Sequence, residues 1–244
     1  MLGVALLAVL WLGISADRQV GARQEQTVAA SAVPARPDAG GASRSARTDA
    51  TTVFAAVDGL ELTLPHARPL AVGYHEASSV EALAFTPFGS LLSNDNPSGY
   101  TAPAAAAGPE YRVLSSQGRG RPATSSVDVA VPLGDIAFAP ITGTVRTVTE
   151  YPLYGRVRDW RVEITPEGRP DLTVVLVHLL RPNVSVGDAV TAGETAVAVP
   201  RLLPFDSHID GVLDERHPHV HIEVTPSSEP DPIDPNQPAQ PAGD

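Results

Sequence analysis

The 244-residue chain contains no cysteine. That excludes disulfides, a lipid-modified N-terminal cysteine and any thiolate metal site, so a metal here would need His, Asp or Glu. Lysine is absent as well, and all 17 basic residues are arginine. No biotinyl or lipoyl carrier lysine, no Schiff base and no P-loop lysine is available. Positive charge is in deficit overall, with a net charge of −11. Nucleic acid is therefore not expected as a partner, because its binding is driven by basic patches. A peptide or cell-wall ligand stays open.

What is present divides the chain into unequal parts. Met1 to Ile14 is almost wholly apolar and is followed by Ser15 and Ala16, the pattern of a secretory signal. No Lys or Arg precedes the run, which leaves a signal peptide or an uncleaved signal anchor over residues 1–16. At about 14 residues it is shorter than the roughly 20 needed for a membrane span. The expected location is secreted or membrane-anchored and extracytoplasmic, with membrane contact only through this segment. Residues 17–51, rich in Ala, Arg, Gln, Ser, Gly and Pro, read as a disordered linker. Residues 226–244, acidic and rich in proline, read as a disordered tail.

Between these ends, residues 52–110 hold TVFAAVDGLELTLP, AVGYHEA and VEALAF, short β-like or mixed runs, and then the loop-like SNDNPSGYTAPAAAAGPE. This β-rich extension fits either strands added to a main sheet or a cover over it. Residues 111–225 carry the clearer pattern: VDVAV, IAFAP, GTVRTV, WRVEI, LTVVLVHLL, AVAVP and HVHIEV. These runs are rich in β-branched residues and closely spaced by Gly, Pro, Asp or Asn, which predicts an all-β antiparallel sandwich or open barrel and not βαβ units.

Four of the seven histidines, His208, His217, His219 and His221, fall within fourteen residues. Strand alternation places His219 and His221 on one face and Val220 and Ile222 on the other. Two imidazoles about 6–7 Å apart along one strand face can share a metal or its water. His178 in LTVVLVHLL and Asp128 in SVDVAV are polar residues inside apolar runs on other strands, so a carboxylate and imidazoles could converge on one zinc. Each element alone has an ordinary structural reading, a hydrogen-bonded histidine or a capping aspartate.

Taken in order, these blocks resemble the lysostaphin-type, or LytM-like, zinc endopeptidases that cut peptidoglycan cross-link peptides. TSSVDVAVPLGDIAFAPITGTV is similar to the family's first block, LVHLL to its Tyr-x-His-Leu, VSVGDAVTAGET to its Gly-Asp turn, and HVHIEV to its closing His-x-His. The resemblance runs from about Arg119 to Val224. It implies a zinc cofactor, with Asp128 and His221 as ligands. It implies His178 and His219 as the histidines that orient or deprotonate the water and stabilise the oxyanion. Glu223 would support His219 or His221 from behind.

One departure stands out. The family's first ligand histidine lies four residues before the aspartate, where this chain has Thr124, and the intervening glycine is Ser126. Two of three protein ligands then remain, whereas catalytic zinc sites keep three. His208, His217, His66 and His75 are the histidines left to fill the gap, and no spacing argument selects among them. The Gly/Arg-rich SSQGRGRPATS also replaces the family's usual approach to the first ligand. Three readings follow. The chain could be a zinc endopeptidase on cell-wall peptides, a non-catalytic module that binds wall peptide or activates a separate cell-wall hydrolase, or a structural β module without a wall ligand.

Overall fold

The computed structural model describes residues 52–104 and 106–227. The stretches read as signal and as linker, and all but the start of the stretch read as tail, lie outside the described residues. Fourteen strands and one short 3-10 turn follow in order: β1 Val53–Val57, β2 Leu60–Thr63, β3 Ala71–His75, β4 Thr86–Pro87, β5 Ser90–Asn94, β6 Glu110–Val113, β7 Ser126–Ala130, β8 Ala137–Phe138, β9 Gly143–Leu153, β10 Val157–Pro166, β11 Leu172–Leu179, β12 Ala189–Val190, β13 Ala196–Ala198, the turn His208–Val212 and β14 His219–Pro226. The protein is all-β, and all seven strand runs read from residues 111–225 coincide with strands. VEALAF forms none; its backbone instead donates from Leu83 to the Val224 carbonyl and from Phe85 to the Thr124 carbonyl, each at 2.8 Å. β14 runs through Pro226, into the stretch read as tail.

The main sheet has the order β12-β9-β10-β11-β14-β7-β3-β6-β5. Its centre is antiparallel, but β6 pairs in parallel with both β3 and β5, so the sheet is mixed at that edge and not antiparallel throughout. β3, β5 and β6 come from the N-terminal extension and its border; this region joins the main sheet. A three-stranded sheet, β2-β1-β4, and the pair β13-β8 pack on the inner face. Alternation sends Val127, Val129, Val174, Leu176, Val220 and Ile222 inward, where they share one core with Phe54 and Leu62 of the small sheet.

The opposite face of the sheet carries the polar side chains. The turn His208–Val212 is fastened to it by Ile209, fully buried against Ala71, Leu114 and Ala130. A Cβ at Gly73 would come within 2.5 Å of Ile209 Cδ1, so Ile209 occupies the space that a side chain on β3 would take. Burial of an isoleucine contributes about 2 kcal/mol, enough to hold this short turn, and His208 with it, over β3.

Candidate metal centre

Three neighbouring strands of the main sheet each supply one ligand-type side chain. β14 pairs with β7 so that His221 lies opposite Asp128, and β3 pairs with β7 so that His75 lies opposite Ser126. Residues opposite each other, or two apart on one strand, share a face. His75, Asp128 and His221 therefore converge, all buried, each offering a ligand atom within 4.8 Å of the others.

The hydrogen bonds around His75 select its tautomer. Nδ1 lies 3.0 Å from the Glu76 carbonyl oxygen and 3.1 Å from Ser126 Oγ, whose own proton goes to the His75 carbonyl. Nδ1 must carry the hydrogen, which leaves a lone pair on Nε2. That Nε2 is buried, 3.1 Å from Asp128 Oδ2, yet out of line for a hydrogen bond. A buried nitrogen without a partner is costly, and a cation between it and the carboxylate would satisfy both. Ligand atoms bound to one zinc at about 2.0–2.2 Å sit about 3.3 Å from each other, and the spacing here is compatible. Two imidazoles and a carboxylate are a donor set that suits zinc.

His221 is held from both sides. Nδ1 lies 2.7 Å from Asp128 Oδ1, and Nε2 donates to Glu223 Oε1 at 3.0 Å. Glu223 is fixed in turn by the backbone N–H groups of Ser78 and Ser79. Of the two options for Glu223, support of His221 is the one the structure shows. Burial alone would lower the His221 pKa, but hydrogen bonding to Asp128 and Glu223 outweighs it and lifts the value to about 9. Asp128 is likewise pushed up by burial and, more strongly, held well below the usual carboxylate range by His75, His219 and His221.

Thr124 is no ligand. Its Oγ1 donates to the Phe85 carbonyl at 2.8 Å and is buried there. Where the resemblance left the ligand set short at Thr124, His75 is the candidate in its place and reaches Asp128 and His221 from the adjacent strand. The other three histidines do not. His208 bonds Ser115 Oγ through Nε2 and meets Gln117 Nε2 at Nδ1, its ring set edge-on to His75 with centroids 5.4 Å apart. Burial pushes its pKa down to about 4. His66 pairs with Asp135 and His217 approaches Glu215, and neither lines the cleft around the centre.

No family model matches this chain, and no curated protein matches it. Among solved structures, the solution structure of lysostaphin aligns with a TM-score of 0.32 and 20% identity, over 42% of this chain and 36% of that one. The crystal structure of a zinc containing peptidase from Vibrio cholerae aligns with a TM-score of 0.29 and 21% identity, over 48% of this chain and 30% of that one. The chain thus spans about a third of the length of these structures.

Around the centre lies a cleft of about 430 Å³ that His178 and His219 also line. Their rings are 5.0 Å apart, and His178 is 5.7 Å from His221. His178 has φ +65° at an irregularity in β11, where the step from Val162 to Trp160 on β10 is matched by the longer step from Leu176 to Leu179. This bulge turns the His178 side chain toward the cleft. Asp159, fully buried on β10, holds it there. Asp159 Oδ2 accepts from the His178 backbone N–H at 3.0 Å, sits 3.1 Å from His178 Nδ1 and accepts from the Tyr151 hydroxyl at 2.8 Å. Nδ1 is thereby committed, and Nε2 is the nitrogen left for the cleft. Asp159 was not legible in the sequence: its strand VRDWRVEITP also holds Arg158, Arg161 and a second acid, Glu163, so no local signal singles it out.

His219 is fully buried, with Nε2 4.0 Å from Asp128 Oδ2 and no hydrogen-bond partner at Nδ1. Burial pushes its pKa down to about 4, so it is a neutral imidazole at ordinary pH. The face thus combines three metal-type ligands with one histidine oriented by a carboxylate and a second kept neutral, an arrangement suited to metal-assisted hydrolysis.

Proposed function

We propose that this protein is an extracytoplasmic zinc metallo-endopeptidase that cleaves peptides of the cell-wall peptidoglycan, with His75 serving as its first ligand. The observation that carries the reading is the convergence of His75, Asp128 and His221 on one buried point, beside His178 and His219. The wall substrate and the location rest on the motif order and the apolar N-terminal run.

His75 Nε2, an Asp128 carboxylate oxygen and His221 Nδ1 would hold the ion. A zinc held there supplies Lewis acidity toward the scissile carbonyl and lowers the pKa of water. His178 takes up the proton of the attacking water at Nε2 and delivers it to the leaving amine. Asp159, opposite at Nδ1, stabilises the imidazolium that this creates. Neutral His219 donates a hydrogen bond to the oxygen that gains negative charge. Such proton transfer and oxyanion contacts each contribute about 10²–10⁴ in rate.

The test joins metal analysis to digestion of purified peptidoglycan by the full chain. About one zinc per chain is expected, with release of new amino termini that a chelator abolishes and added zinc restores. Protein without zinc, or zinc protein that leaves the wall peptides intact, overturns the reading. Zinc protein that binds wall without cutting it points to the binding or activating module.

A further inference from the structure

The Gly/Arg-rich loop SSQGRGR, residues 115–121, is not used by the chemistry above, yet it is built around the centre. Glu76, the residue after the ligand His75, organises it. The Glu76 carboxylate accepts from Ser116 Oγ and from the backbone N–H groups of Gln117 and Arg119. The Glu76 carbonyl oxygen accepts from Arg119 Nη1 at 2.8 Å, and the same oxygen accepts from His75 Nδ1 at 3.0 Å. One backbone oxygen therefore ties the Arg119 guanidinium to the ligand imidazole, and Arg119 lines the cleft.

Arg119 differs from the other guanidinium of the cleft in its electrostatics. Arg161 is ion-paired with Glu163 at 2.7 Å. Arg119 has no carboxylate in ion-pair contact among the described residues. Glu223 and Glu76 act on it through space, but their oxygens are taken by His221 and by backbone N–H groups. Asp206 at the rim pairs with Arg216. Burial lowers the Arg119 pKa, the mark of a cation that has lost part of its water. The remaining guanidinium N–H groups form a fork matched to a carboxylate.

We propose that Arg119 is a carboxylate-binding subsite beside the metal centre, selecting peptides that carry a free carboxylate near the bond held there. The carboxylate is either a peptide C-terminus or an acidic side chain. The position of the cleaved bond rests on the peptidase reading; the binding of the anion rests on Arg119.

Three blocked peptides test this by calorimetric titration of the full chain: N-acetyl-Ala-Ala as free acid, N-acetyl-Ala-Glu-Ala amide and N-acetyl-Ala-Gln-Ala amide. At least one acid is expected to bind about tenfold more tightly than the Gln peptide. Arg119→Gln should erase that preference, and Arg119→Lys should keep part of it. Whichever acid is preferred identifies the source of the carboxylate. Equal binding of acids and amide, no binding of any peptide, or a preference that survives in Arg119→Gln each overturns the subsite. Zinc content is measured on the same samples. An Arg119-dependent preference in protein that binds no zinc retains the subsite and sinks the peptidase reading. Zinc-dependent wall digestion without the preference does the reverse.

Discussion

At the residue scale, the Glu76 carbonyl oxygen and Ser126 Oγ together hold the proton of His75 on Nδ1 and so turn the lone pair of Nε2 toward Asp128. Thr124, where the motif wants a histidine, spends its hydroxyl on Phe85. The two positions should separate cleanly on substitution. His75→Ala is expected to lower zinc affinity at least about a hundredfold, since it removes one of the three proposed protein ligands. Thr124→Val should keep zinc and cost about 1–2 kcal/mol of stability, because a buried carbonyl loses its donor. Metal titration and chemical denaturation of both variants check this. Zinc binding that survives His75→Ala would place the third ligand elsewhere.

At the element scale, the bulge in β11 and the acid beneath it form one device. His178 sits in left-handed backbone, which costs a non-glycine residue about 1–3 kcal/mol, and Asp159 holds both its N–H and its ring. Burial pushes the Asp159 pKa up, but hydrogen bonding to His178 and Tyr151 outweighs it and the net shift is downward. A carboxylate whose pKa is lower folded than unfolded stabilises the fold above the unfolded value, about 3.9. That contribution is lost as pH falls through the folded value. Asp159→Asn should therefore flatten the fall in stability below about pH 4, as read by denaturation across pH 2–7. The same variant should lower kcat with zinc content unchanged, and it should alter the ring nitrogen shifts of His178 in NMR spectra. An unaltered acid limb together with unaltered His178 shifts would leave Asp159 a plain core residue.

At the scale of the whole molecule, the N-terminal extension and the motif-bearing region share a sheet, a core and the candidate metal centre. Phe54, Leu62, Val72 and Tyr74 are buried in the same cluster as Val129 and Ile222. At about 1.5–3 kcal/mol each, these four side chains contribute an amount comparable to the net stability of a typical domain. A fragment of residues 111–227 also lacks β3, and its β7 edge would lie bare. It is expected to aggregate and to bind no zinc, while 52–227 should be soluble and carry about one zinc. Size-exclusion chromatography with metal analysis decides, and a soluble fragment 111–227 with zinc would refute the shared core.

The all-β class and seven of the eight strands from β7 to β14 were legible in the sequence because alternation and turn residues are local signals; the two-residue β12 was too short to show either. The shared face of His219 and His221 was legible for the same reason, since strand period alone sets it. The third member of the His-Asp-His cluster was not. His75 and Asp128 are 53 positions apart in the chain, and only the antiparallel register of β3 on β7 brings them together. Nothing in AVGYHEA states which strand it will pair with, because register is decided by the core that both strands bury. By itself the sequence determined the strands, two candidate ligands and the departure at Thr124; the tertiary structure decided which histidine joins them, since a His-Asp-His cluster is a property of neighbouring strands and not of neighbouring residues.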